Sequence, residues 1–208
     1  LLVAAIGGQA MVGSTIGLLV VAAFMVALGI LDDRFNLPPN VRLFAHLSAA
    51  VAMVYSVQDS VASLGNLFGW GPVNLGIFAM PFTVVAVVAL INAFNMLDGL
   101  DGLAGTSGLI AFGGIMIVSS QGAAPGILLV AGSMFGAVAA FLIFNLPLQI
   151  NNRIRTFMGD AGSTLLGFVL AGLSLRLIQA PPDSIGFAPI LVLWLMPIPI
   201  FELFASTV

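Results

Sequence analysis

Long apolar runs alternate with short polar breaks along the whole 208-residue chain. About seven of these runs approach the roughly 20 residues that a helix needs to cross a bilayer: 14–31, 41–57, 78–94, 102–119, 126–144, 164–178 and 186–204. Residues 1–10, apolar around Gly7, Gly8 and Gln9, read as the end of an earlier span followed by a turn. The breaks have turn chemistry. Pro38 and Pro39 cannot continue a helix. Residues 59–74 are rich in Gly, Ser and Asn around Trp70, as suits an interfacial loop. Pro197 and Pro199 break the last run. The pattern predicts an all-α fold: a polytopic integral membrane helical bundle of about seven transmembrane helices. It forms one transmembrane domain over 1–208, with loops at about 32–41, 92–105 and 145–163. A β-barrel would need short alternating segments, which the sequence does not have. The chain opens on Leu1 rather than Met and stops just after an apolar run, which reads as a fragment of a longer protein.

Composition sharpens this picture. Hydrophobic residues make up 61% and charged residues 6%, far from the quarter charged that is usual in soluble domains. A net charge of -3, without a basic run, argues against nucleic acid as a partner. There is no cysteine, hence no disulfide and no thiolate metal site.

In so apolar a chain each carboxylate needs a reason, because ionised groups beside hydrocarbon are costly and usually functional. Asp32 and Asp33 follow the first span, Asp98 and Asp101 the third, Asp160 the fifth, and Glu202 closes the seventh. Successive spans alternate in direction, so these acids emerge on one face. Arg34, Arg42, Arg153 and Arg155 share that face, which the positive-inside rule makes cytoplasmic. Carboxylates and asparagine carbonyls at a wet surface suit a hard cation such as Mg²⁺, which takes one or two carboxylates plus substrate phosphates. Nearby arginines can meet phosphate oxygens. The residues therefore point to metal-dependent phosphoryl chemistry. No GxxxxGK[ST] segment is present, so a P-loop site is excluded.

Three segments, LDDRF at 31–35, NAFNMLDGLDGLAG at 92–105 and FMGDAGSTLLGF at 157–168, resemble in order and spacing the polyprenyl-phosphate N-acetylhexosamine-1-phosphate transferases, glycosyltransferase family 4. The likeness covers roughly residues 15–205 and is nearer the WecA/TagO-like branch than the MraY branch. It implies a multi-pass enzyme of the bacterial cytoplasmic membrane with its active site facing the cytoplasm. Such an enzyme transfers N-acetylglucosamine-1-phosphate, or a related N-acetylhexosamine-1-phosphate, from a UDP-sugar to undecaprenyl phosphate. It releases UMP at the start of cell-envelope polysaccharide synthesis. The cofactor implied is Mg²⁺, with Mn²⁺ as a substitute. The partners implied are a UDP-N-acetylhexosamine, the lipid phosphate and the membrane; a homodimer is left open.

By the same resemblance Asp160 is the metal ligand and Asn95 the second. Asp32 and Asp33 position or deprotonate the lipid phosphate. Asp101 contacts uracil and Phe157 stacks on it. Asn92 and Asp98 organise the central motif and the surroundings of the metal. Arg42 stands near Asn40, where the family commonly has lysine; Arg155, by its guanidinium chemistry rather than by the resemblance, suits a phosphate contact. The family's N-terminal spans and His-rich cytoplasmic segment have no counterpart in the chain.

Plainer roles compete. Asp98 and Asp101 suit a tight turn or the N-cap of the next span, and Asp160 suits a cap of the sixth helix. His46 suits a helix–helix hydrogen bond, Phe157 an interfacial position, and Arg153 and Arg155 a topological role. An MraY-type transferase and a non-catalytic relative are the nearest alternatives. An ion-coupled transporter would place its acids at mid-bilayer on broken helices rather than at span ends. A CDP-alcohol phosphotransferase would need an Ala-Arg pair soon after the DG, which DGLDGLAG lacks.

Overall fold

A computed structural model describes residues 2–57, 60–65, 70–120, 125–146, 156–178 and 194–205. Seven α-helices lie within them: α1 (Leu2–Phe35), α2 (Pro39–Val57), α3 (Ala79–Leu97), α4 (Leu103–Ser119), α5 (Pro125–Asn145), α6 (Gly159–Ile178) and α7 (Pro197–Ala205). Four stretches are long and apolar enough to cross a membrane: Thr15–Phe35, Gly76–Leu97, Gly126–Asn145 and Gly159–Ile178. α4 is apolar but shorter.

The bounds differ from the sequence expectation in four places. No turn interrupts α1 at Gly7 and Gly8; the helix runs unbroken from Leu2. Glycine costs about 1 kcal/mol against alanine inside a helix but removes no hydrogen bond. Second, α3 continues through Asn92 and Asn95 to Leu97, so the turn is confined to residues 98–102 rather than 92–105. Third, α6 starts at Gly159, before the expected 164. Fourth, the last run is broken as expected, but at Leu195 and Met196 just ahead of the prolines, and Pro197 and Pro199 then open α7, because proline is tolerated in a first turn, where the N–H groups have no intrahelical partner. Residues 186–193 of the expected seventh span lie outside the described residues.

α1 ends where Asn36 turns left-handed at φ +48°, with its N–H on the Asp32 carbonyl at 2.8 Å. Pro39 then starts α2. The α2–α3 connection forms a small antiparallel bridge between Ser63 and Asn74. It is tied to α3 by the Val61 N–H on the Thr83 hydroxyl at 2.9 Å.

α6 is the hub. It touches α1, α2, α3, α4 and α5, and it is buried almost without interruption from Ser163 to Leu177. Two glycines set how closely its neighbours approach. A Cβ on Gly167 would lie 2.7 Å from the Ile91 Cα of α3, and one on Gly29 of α1 would lie 2.2 Å from the Ala161 Cα. Such backbone-to-backbone contact is the packing that small residues permit between membrane helices. Phe94, Phe112, Phe168, Met25, Met53 and Ile91 fill the core around α6. The C-terminal ends of α1 and α3 thereby meet the N-terminal end of α6.

Candidate active site

At this junction the side chains are arranged around Asp160, in the first turn of α6. Asn95, in the last turn of α3, donates its Nδ2 to Asp160 Oδ1 and to the Ser163 hydroxyl oxygen at 3.1 Å. Ser163 and Thr164 in turn donate to the carbonyls of Gly159 and Asp160, at 3.0 and 2.6 Å. Asp33 accepts the Asp160 N–H on Oδ1 at 2.8 Å and the Ala161 N–H on Oδ2 at 3.4 Å.

Asp32, its neighbour, is buried. Its Oδ1 accepts the Leu37 N–H at 2.8 Å, and its Oδ2 accepts Arg42 Nη1 at 3.2 Å. The same Arg42 nitrogen lies 4.0 Å from Asp160 Oδ2. One guanidinium thus faces two carboxylates drawn from α1 and α6. Beside it a cleft of about 280 Å³ is lined by Asp32, Asn40, Arg42, His46, Asn92, Asn95 and Thr164. His46 of α2 and Asn92 of α3 face each other across this cleft, and the buried His46 Nδ1 has no hydrogen-bond partner in it.

Asp98 follows α3 as its C-cap residue. Burial, then the Asp160 charge and more weakly those of Asp33 and Asp101, push its carboxyl up to about 6; the polar backbone of Gly159 opposes them. The cap reading fails for this loop, because the N-cap of α4 is Gly102 rather than either aspartate. It fails for Asp160 also, since the first N–H groups of α6 go to Asp33. Asp101 lies exposed in the turn, and Phe157 is 78% exposed just before α6, a ring with an open face. Arg153 and Arg155 lie outside the described residues. Glu202 is half-buried on α7, which packs on α3.

Sequence reasoning passed over Ser163, Thr164 and Asn145. Asn145, buried at the end of α5, donates Nδ2 to the Thr156 carbonyl at 2.8 Å and so steers the chain into Phe157 and α6. Its one signal was an amide closing an otherwise apolar run.

The donor set is all oxygen. Among the described residues no three acidic or histidine side chains converge as a cage. A cation held by one or two carboxylates, with phosphate oxygens completing its shell, fits this arrangement, as Mg²⁺ sites commonly do. Asp160 would hold it. Asn95 presents Nδ2 to Asp160, so in this orientation it fixes the carboxylate, and only its Oδ1 could ligate.

Residues 15–178 match the model of glycosyl transferase family 4. The chain belongs to that family. Within it, an undecaprenyl-phosphate alpha-N-acetylglucosaminyl 1-phosphate transferase of Yersinia pestis is 36% identical over 184 residues, 88% of this chain and 50% of the relative. Proteins of the same name from Salmonella typhi and Haemophilus influenzae are 34% and 33% identical, over 90% and 87% of this chain and 50% of each relative. The chain spans about half the length of these relatives. The family match encloses Asp32, Asp33, Arg42, Asn92, Asn95, Asp98, Asp101 and Asp160.

Proposed function

We propose that the protein of which this chain is part transfers N-acetylglucosamine-1-phosphate from UDP-N-acetylglucosamine to undecaprenyl phosphate. The observation that supports this most is the meeting of Asp32, Asp33, Arg42, Asn95 and Asp160 at one end of the bundle, in a chain whose relatives carry that activity in their names. About seven spans hold the site at the cytoplasmic surface, where the nucleotide sugar is available.

Arg42, beside Asp32 and Asp160, binds and orients the acceptor phosphate as a fork of charged donors. An oxygen of that phosphate attacks the sugar-bearing phosphorus of the donor. The new phosphorus–oxygen bond forms as the bond to the bridging oxygen breaks, and that oxygen leaves on UMP with the bond electrons. Lipid diphosphate-sugar and UMP result, and no covalent enzyme intermediate is needed. Mg²⁺ bound at Asp160 would offset negative charge on the departing phosphate. Asp32 holds Arg42, and Asn95 holds Asp160. Asp98 adds a carboxylate whose proton affinity is raised, titrating near 6. Asp101, exposed in the turn after α3, and Phe157, exposed before α6, receive uracil, the ring by stacking, and Arg155, outside the described residues, adds its charge for a phosphate.

The test is UMP release by the full-length protein with a series of UDP-N-acetylhexosamines. Release should require both undecaprenyl phosphate and Mg²⁺ and be fastest with UDP-N-acetylglucosamine. Release that persists without lipid phosphate, or none with any donor, would end this reading.

A further inference from the structure

The paired aspartates do different work in the structure. Asp32 lines the cleft and is paired with Arg42. Among the described residues that line the cleft, Asp33 does not appear. Its two carboxylate oxygens face the backbone N–H groups of Asp160 and Ala161, the start of a 20-residue helix. The first four N–H groups of a helix have no intrahelical partner, and an acidic side chain there gains from both the hydrogen bond and the helix dipole. Caps normally come from the residue just before the helix. Here that role passes to a residue 127 positions earlier in the chain.

The local geometry is built for this contact. Gly159 has φ +65°, a conformation that side chains rarely adopt. A Cβ there would meet the Asp33 carboxylate oxygens at 2.8 and 3.1 Å. The close approach of Gly29 to Ala161, one turn before Asp33, sets α1 against α6 at the same level.

We infer that Asp33 is a positioning residue: it caps α6 from α1 and thereby sets the place of the Asp160 carboxylate, leaving Asp32 as the member of the pair that faces substrate. This rests on the reading above only in taking Asp160 as the cation ligand. Residues that orient a metal ligand typically change metal affinity ten- to a hundredfold when removed.

The test compares Asp33→Ala, Asp33→Asn and Asp33→Ser in the full-length protein in detergent, using Mn²⁺ alone as the probe. Mn²⁺ affinity is read by electron paramagnetic resonance and the Asp160 and Ala161 amides by hydrogen exchange. Asp33→Ala should weaken Mn²⁺ binding about ten- to a hundredfold and deprotect the start of α6. Asp33→Asn keeps an acceptor oxygen for the 2.8 Å bond and should restore most of both, together with turnover. If the alanine variant does not fold, an affinity order of Asp over Asn over Ser supports the inference, and a flat series overturns it. Wild-type Mn²⁺ affinity and amide protection in Asp33→Ala would also overturn it. So would an Asp33→Asn variant that is inactive with Mn²⁺ binding intact, since that marks a base. Absence of Mn²⁺ binding in the wild type would refute it outright. The Mn²⁺ and hydrogen-exchange readouts need neither donor nor acceptor, so a failure of the transferase reading registers separately, as missing UMP release.

Discussion

At the scale of single residues, the site is a set of carboxylates kept apart in role by what each one faces. Arg42 is held between Asp32 and Asp160, so Arg42→Lys keeps the charge but loses the planar fork. The KM for undecaprenyl phosphate should rise by roughly tenfold or more, the size of one charge-assisted hydrogen bond, with a smaller change in kcat. An unchanged KM would remove Arg42 from the acceptor site. Asp98 supplies a pH signature. Its carboxyl titrates near 6 in the fold against 3.8 for an ordinary aspartate, chiefly through burial. The folded state therefore holds this proton more tightly than the unfolded chain does. Stability from this group is greatest below pH about 4 and is lost as pH rises through about 6. In EDTA, Asp98→Asn should melt higher than the wild type at pH 7.5, and the two should converge near pH 4.5. A gap that is equal at both pH values would contradict the shift.

At the scale of elements, the site depends on how closely α6 lies against α1 and α3. Gly167→Ala places a methyl against the Ile91 and Leu90 backbone, where no rotamer change can relieve it. A loss of about 1–3 kcal/mol, the usual cost of overpacking, should appear as a lower melting temperature in detergent. Unaltered melting would mean that α3 and α6 can separate without cost. Much of the helix layout was legible beforehand, because apolar run length and paired prolines are local signals. The bounds near the motifs were less so. Asn92 and Asn95 look like loop residues, yet they prolong α3 so that their amides project at the junction. The capping of α6 was not legible at all, since it joins Asp33 to Asp160 across 127 positions and no local spacing encodes that contact. Asp160, by contrast, stood out because a carboxylate in so apolar a chain demands a partner.

At the scale of the whole molecule, the junction of α1, α3 and α6 should face the cytoplasm and the Ser63–Asn74 bridge the other side. These 208 residues contain no cysteine, so within them each introduced cysteine is the one thiol. Asn36→Cys should react with an impermeant maleimide only after the membrane is opened, and Trp70→Cys should react in intact cells. The reverse pattern would invert the proposed topology. The central claim is that phosphoryl transfer depends on Asp160 as held by its neighbours. Its most direct test is UMP release from UDP-N-acetylglucosamine, undecaprenyl phosphate and Mg²⁺ by the full-length wild type and Asp160→Asn, both shown to be folded in detergent. The variant should lose at least about a hundredfold in kcat, as when a principal electrostatic contact to the transition state is removed. Near-wild-type, Mg²⁺-dependent release by Asp160→Asn would contradict the account.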